Sequence, residues 1–397
     1  MDFTLTPQTT ELRDLAGAIL RECSTPGRLD SLDASGEWLD RRTYRALADA
    51  GVLGAVLPED AGGAGLGLTE LHYLLQQAGM AAAQVPLLET VALGAVTIAR
   101  LGTAAQRDRW LPGVVAGTTL LTAALAEPAA AGRGQPAARA RKSGAGWSLS
   151  GASTQVPLAG LADAVLVPAT MPDGTRAIFL IDPRADGVTL RRQHTLAPRP
   201  AWAMHLESAQ AGPDNRIGPG GPGGLGDCGG PMEAAVDDLL LRAGSALASV
   251  QSGVCAAALR LTADHVRTRE QFGRPIGTFQ AVRQRLADAW IDTEAAQLTS
   301  LQAAWRLSAG LDAADAVAIA RWWAAEAGHR VLHTAHHLHG GTGIDLSYPL
   351  HRYFRLAKQI EFSLGGANRE LSGLGRALAA RPGGPPTTGD GPCRTRR

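Results

Sequence analysis

From Ile217 to Pro231 the chain reads Ile-Gly-Pro-Gly-Gly-Pro-Gly-Gly-Leu-Gly-Asp-Cys-Gly-Gly-Pro, and no regular element can run through it. Proline donates no backbone hydrogen bond. Glycine loses the most conformational entropy when ordered. Neither a helical nor a sheet ladder survives that combination. The fold therefore has to be assembled from what lies on either side of this loop.

On the N-terminal side the chain starts helical and then changes texture. Thr6-Pro7 suits an N-cap followed by proline at the first helical position. Leu12, Leu15, Ile19 and Leu20 fall on one helical stripe, and Leu39, Tyr44, Leu47 and Leu53 repeat the pattern. Asp60 to Gly67 is a loop by glycine content, and Thr69 opens another helix. No Gly-Lys-Ser/Thr follows that glycine run and no strand precedes it, so it does not read as a phosphate loop. After about residue 120, short apolar runs alternate with turn residues: Trp147-Ser-Leu-Ser-Gly, Ala164-Val-Leu-Val-Pro, Ala177-Ile-Phe-Leu-Ile-Asp and Gly187-Val-Thr-Leu. Such spacing predicts a small antiparallel sheet.

Beyond the loop the helical period returns. Val250, Val254, Ala257 and Leu261 share a face, and Gly273 with Pro275 predicts the end of that helix. Thr278 is placed to cap the next one, whose stripe is Phe279, Val282, Leu286 and Ala289. Two more helices are predicted, from Ala313 to about His337 and from about His351 to Ala380. The fold class is α+β, mainly α. An N-terminal helical domain (1–121) precedes a central β-domain (122–235), a C-terminal four-helix bundle (236–380) and a Pro/Gly/Thr-rich disordered tail (381–397).

Charge excludes some partners. Thirty-eight basic residues face 37 acidic ones, which gives no reason to expect nucleic acid or an anionic membrane. Cys23, Cys228, Cys255 and Cys393 are too scattered for a zinc site or a disulfide framework, and Cys255 on its apolar stretch reads as packing. The histidines 333, 336, 337 and 339 lack a supporting carboxylate, so no metal is expected. The N-terminus reads neither as a signal peptide nor as a span, and the expected compartment is the cytoplasm.

Two segments carry chemistry. One runs from Arg267 through Arg269-Glu-Gln-Phe-Gly-Arg-Pro-Ile-Gly-Thr-Phe-Gln280. The other is His336-His-Leu-His-Gly-Gly-Thr-Gly343, continuing from Tyr348 to Arg355. Arginine presents a planar fork of donors to phosphate, and glycines at a turn let backbone N–H groups approach a ligand. With the helical–β–helical order, these segments make the chain resemble the acyl-CoA dehydrogenase family over nearly its whole length. That resemblance implies FAD as cofactor and an acyl-CoA thioester as substrate. It implies Arg269 at the pyrophosphate of a neighbouring subunit's FAD, Phe272 and Gln280 lining that site, and Gly340 and Gly341 at the adenosine end. His337 stands where the family usually has glutamine. Phe272 also admits a reading as core, Arg269 as a solvated helix residue, and Arg352 and Arg355 as structural charges.

The same resemblance exposes gaps. The family's catalytic glutamate corresponds to Leu364, after Arg355-Leu-Ala-Lys358, or to Ala243 on the helix before the first motif. Neither accepts a proton. Glu361, three residues from Leu364, is a weak substitute, and a surface charge is its plainer role. The flavin-binding Thr-Glu-Pro-Gly-Ala-Gly-Ser-Asp loop reads Ala126-Glu-Pro-Ala-Ala-Ala-Gly-Arg133 here. The family's Trp-x-Thr reads Gln155-Val-Pro157. Hydroxyl donors have become Ala126 and Pro157. The resulting expectation is a subunit that supplies the adenosine and pyrophosphate half of an FAD site to a catalytic partner, within a hetero-oligomer. The alternatives are a self-sufficient homo-oligomeric dehydrogenase with an atypical base, and a non-redox scaffold on the same fold.

Overall fold

Thr6 accepts a hydrogen bond from the Thr9 amide at 3.1 Å, and Pro7 begins the first helix, α1 (Pro7–Cys23). Such a cap is worth about 1 kcal/mol. The computed structural model describes residues 3–126, 136–217 and 233–380, with the side chains of Glu233 and Leu364 left aside. Most of the glycine–proline loop, the segment Glu127 to Arg133 and the tail from Arg381 lie outside the described residues.

Helices α2 (Pro26–Ser35), α3 (Arg41–Asp49) and α4 (Leu68–Met80) follow. A π-helical stretch, Leu87–Ala95, then runs into α5 (Val96–Leu101), before α6 (Ala104–Val115). Leu39, Tyr44, Leu47 and Leu53 are buried as their spacing predicts, but Leu15 is exposed on the outer side of α1.

The eight-stranded sheet consists of β1 (Leu121–Ala123), β2 (Ala138–Ser143), β3 (Gly146–Pro157), β4 (Ala164–Thr170), β5 (Arg176–Ile181), β6 (Val188–Gln193), β7 (Ala201–Ala211) and β8 (Arg216–Ile217). Most neighbours are antiparallel, but β1 and β2 both pair parallel to β4, so the sheet is mixed. Strands β4 and β5 are buried almost throughout because both faces are covered. Leu166, Ile178 and Leu180 pack into the helical core, while Val165, Val167 and Phe179 fill the sheet's own core.

The C-terminal bundle is α7 (Glu233–Thr268), a short hairpin of β9 (Glu270–Gln271) and β10 (Arg274–Pro275), then α8 (Gln280–Ser308), α9 (Ala314–His339), α10 (Leu350–Phe362) and α11 (Gly366–Ala379). Among the described residues α7 alone has the length and apolar content of a membrane span, and it is the central helix, packed against α4, α8, α9 and α10. Its crossing with α4 needs glycine: a β-carbon at Gly79 would run into the Val250 carbonyl, and one at Gly253 into that of Gln76. Cys255 is fully buried, and burial pushes its thiol up to about 12, in keeping with packing.

Three further expectations change. On α8 only Ala289 of the expected stripe is buried; Phe279, Val282 and Leu286 are half-buried, and Trp290, Ile291 and Leu298 are exposed. Thr278 does not cap α8: its hydroxyl donates to the Pro275 carbonyl at 2.7 Å. The last helix is broken, because a 3-10 turn at Ser363–Gly365 and two left-handed glycines, Gly365 and Gly366, separate α10 from α11.

Candidate functional site

Helix α7 stops at Thr268 and does not run on to Gly273. The chain then doubles back, with Glu270 opposite Pro275 and Gln271 opposite Arg274. Between the strands sit Phe272 at φ 56° and Gly273 at φ 74°. Two successive left-handed residues make the turn that best matches the strands' own twist. Glycine adopts that conformation freely, whereas a residue with a β-carbon is disfavoured by about 1–2 kcal/mol. Phe272 is also 91% exposed, and its ring stands perpendicular to that of Phe279 with centroids 6.1 Å apart. The reading of Phe272 as core is therefore overturned: the tip of this hairpin carries an apolar ring in water on a strained backbone.

Arg269 sits at the root of the same hairpin. Its amide donates to the His265 carbonyl and its own carbonyl accepts from Ile276, both at 2.8 Å. Its side chain is exposed and meets no acceptor among the described residues. Gln280, the first residue of α8, is exposed as well.

A second arm lies beside it. Helix α9 ends at His339, and Gly340 turns the chain at φ 57°, ψ −133°, a conformation that only glycine adopts readily. Gly340 and Gly341 are exposed, and a β-carbon on either would meet nothing within 4 Å. His337 faces solvent, whereas His339 is 4% exposed. The imidazoles of His265 and His339 stack with centroids 4.3 Å apart, so the two arms start from one point. An unpaired guanidinium, an exposed ring and bare backbone at a glycine turn suit a pyrophosphate joined to an aromatic base.

The positions where a reactive group would be needed look different. Ala243 is buried in the helical core. Leu364 falls in the 3-10 turn beyond α10, so it and Glu361 no longer share one continuous helix face. Glu361 is not a plain surface charge either. Its side chain is 14% exposed and clamped by Lys358 Nζ at 2.7 Å and His329 Nδ1 at 3.2 Å. Pro157 stands opposite Ala201 in the sheet, and only its carbonyl bonds, to the Thr122 hydroxyl at 2.7 Å.

A separate cleft of about 700 Å³, part of it open to solvent, opens among the N-terminal helices, α7, α10 and the β6–β7 connection. Its wall is mainly apolar, with Trp38, Leu88, Val250 and Leu356 among its residues, and Glu361 does not line it. Glu89, 1% exposed in the π-helical stretch, accepts from Arg199 at 2.7 Å inside it. No motif pointed to this pair, although a lone carboxylate within the apolar run Leu87 to Ala95 is an anomaly that a sequence reading could have found.

The remaining candidates are structural. Arg352 donates to Asp30 at 2.6 Å and Asp33 at 2.7 Å, and Arg355 to the Leu196 carbonyl at 2.6 Å. His333 and His336 stand edge-on to Phe354. Among the described residues no group of three or more His, Cys, Asp or Glu is placed to hold a metal ion.

The comparisons with known proteins agree with this architecture. The family model for the acyl-CoA dehydrogenase N-terminal domain matches residues 6–118, and that for the C-terminal domain matches residues 239–379. Acyl-CoA dehydrogenase FadE27 of Mycobacterium tuberculosis is 40% identical over 394 residues, covering 96% of this chain and 100% of that protein. A chain of the ChsE4–ChsE5 complex from Mycobacterium tuberculosis superposes with a TM-score of 0.89 at 40% identity, over 96% of this chain and 100% of that one. A chain of the Tcur3481–Tcur3483 steroid ACAD gives 0.86 at 43% identity, over 95% and 99%.

Proposed function

This chain belongs to the acyl-CoA dehydrogenase family of oxidoreductases acting on CH–CH bonds, and from that premise we propose that it is the non-catalytic subunit of a heteromeric acyl-CoA dehydrogenase. In this reading it holds the pyrophosphate and adenosine end of an FAD whose reactive ring is seated in a second, related subunit. The substrate is an acyl-CoA thioester with a bulky, steroid-like acyl group, a choice supported by the 43%-identical steroid ACAD. The complex works in the cytoplasm, and the chain divides at about residues 121 and 235 into helical, β and helical domains.

The observation that carries the reading is the hairpin tip. Phe272 is at once strained and exposed, and no contact among the described residues offsets either cost. A backbone outlier of this kind points to use by another molecule. FAD held there would supply the hydride acceptor for dehydrogenation of the acyl thioester, with the base a carboxylate outside this chain. Arg269 binds and orients the pyrophosphate, Gly340 and Gly341 leave room and N–H donors for the adenosine end, and Phe272, Gln280 and His337 enclose it. The base has to come from the second subunit, because Ala243 and Leu364 accept no proton. Thr268, beside the hairpin, also lies 25 residues from Ala243 on α7, about 37 Å along the axis. That separation supports the reading that this half-site serves a flavin other than one seated in this chain.

The test is assembly. The chain expressed alone is expected to carry no stoichiometric FAD and no turnover, and the chain co-purified with a related dehydrogenase subunit is expected to carry both. Full flavin and activity in the lone protein would overturn the reading, and a colourless complex would favour the scaffold. Phe272→Asn makes the left-handed turn unstrained, since asparagine tolerates that conformation. It is expected to stabilise the lone chain by up to about 1 kcal/mol in denaturant melts while lowering flavin retention in the complex. Glu361→Gln is expected to leave turnover of the complex unchanged, because the side chain is held by Lys358 and His329 away from the cleft. A large loss of turnover with FAD retained would reinstate a self-sufficient enzyme.

A further inference from the structure

The stacked imidazoles at the ends of α7 and α9 are not accounted for by any role so far. His265 is four residues before Arg269, and His339 immediately precedes Gly340. The His339 ring is held at both nitrogens: Nδ1 lies 2.7 Å from the Ala335 carbonyl and Nε2 lies 3.1 Å from the Tyr348 hydroxyl. A carbonyl only accepts, so Nδ1 carries the proton and Nε2 accepts from Tyr348. That makes His339 a fixed platform. His265 lies on it at 4.3 Å with 25° between the ring planes, and Tyr348 closes the third side, its centroid 6.4 Å from His265.

We infer that His265, His339 and Tyr348 form an aromatic clamp that sets the hairpin at 269–275 and the glycine turn at 340–343 in register with each other. These are positioning residues: they touch neither cofactor nor substrate, and the inference rests on the half-site reading above. The last turn of a helix has unsatisfied carbonyls and frays. Both arms leave from such last turns, so without a lock each would wander independently. The hairpin is tied to the clamp through its backbone, the Arg269 amide donating to the His265 carbonyl at 2.8 Å. The glycine turn is tied to it by direct succession from His339. One dinucleotide is thereby met at its pyrophosphate by a guanidinium from one helix end and at its adenosine end by bare backbone from another, at a constant separation. Pre-organisation of this kind lowers the ordering cost of binding. Burial lowers the affinity of both imidazoles for a proton, and neighbouring His339 and Arg269 add to this at His265. Two neutral rings can stack without charge repulsion.

The clamp makes a prediction that a local role does not. His265→Ala changes only the hairpin side, yet hydrogen exchange of the full-length chain should rise in residues 270–276 and also in 340–344. The expected rise is about 2- to 12-fold, the worth of one aromatic pair. His265→Phe keeps a flat ring and should restore both segments. Tyr348→Phe removes the hydroxyl that steadies His339 and should loosen both arms without touching either. In the FAD-loaded complex, His265→Ala should weaken FAD retention by a similar factor, with recovery in His265→Phe. Faster exchange in the hairpin alone, or no rescue by phenylalanine, overturns the clamp. If both arms loosen together but neither His265→Ala nor Arg269→Ala changes FAD retention, the clamp stands and the half-site reading falls.

Discussion

Arg269→Ala is expected to weaken FAD retention by the assembled enzyme roughly 10- to 150-fold, the cost of losing a hydrogen-bonded charge of about 1.5–3 kcal/mol. The side chain is exposed and unpaired within the described chain, so its removal leaves no orphaned partner and should not shift the melting of the lone protein. Flavin content after gel filtration and the dissociation constant from flavin fluorescence measure the effect directly. Arg269→Lys keeps the charge but not the planar fork, and should fall between wild type and alanine. Arg267→Ala is the matched control: Arg267 is on the same helix end, 75% exposed and 3.6 Å from Asp264. An equal loss from Arg267→Ala would show that general positive charge is at work and not a specific contact.

Glu89→Ala should be the most damaging single change for the chain itself, costing about 3–5 kcal/mol in denaturant melts. Arg199 is 12% exposed and makes its ion pair to Glu89 at 2.7 Å. Among the described residues its Nε has no partner, so loss of the carboxylate strands a charge that already lacks one bond. Glu89→Gln keeps an acceptor and should cost less. Replacing both partners, Glu89→Leu with Arg199→Met, removes the stranded charge and should recover most of the stability, because a buried pair is dear to break yet often replaceable by apolar side chains. Full additivity of the two single changes would show that the pair does not interact. The double change also removes the buried ion pair from the cleft wall, which keeps Gln84, Arg352 and Arg355 as its polar residues.

Much of the architecture was legible without coordinates. Tyr44, Leu47 and Leu53 are buried where their spacing put them, and Thr6 and Pro7 start α1 as a cap and first residue should. Local signals of this kind involve residues three or four apart and depend on nothing distant. The errors fell where a contact between distant segments decided the outcome. Strands β1 and β2 run parallel to β4, and pairing direction depends on a segment some 30 or more residues away in sequence. The stripe on α8 was read as buried, but whether a helix face is covered depends on what packs on it, and Trp290 and Ile291 are left exposed. The hairpin escaped because Phe272-Gly273 is an unusual left-handed pair, where asparagine or aspartate before glycine would have announced it.

The residues of the half-site divide in the same way. Arg269, Phe272, Gln280, His337, Gly340 and Gly341 were all named from two linear segments, since each motif is local. Their association was not readable: one arm ends α7 and the other ends α9, and only the packing of those helices brings His265 onto His339. The charge pairs were equally hidden. Arg352 with Asp30 and Asp33, and Glu89 with Arg199, join residues more than a hundred positions apart. The sequence by itself determined the family, the order of helices and strands, and the absence of a proton acceptor at Ala243 and Leu364. Those are matters of residue identity and local period. The tertiary structure alone decided that Phe272 faces water, that Glu361 is tied to Lys358 and His329, and that the ends of α7 and α9 meet. Each depends on burial and on the mutual placement of remote segments, which no local pattern encodes.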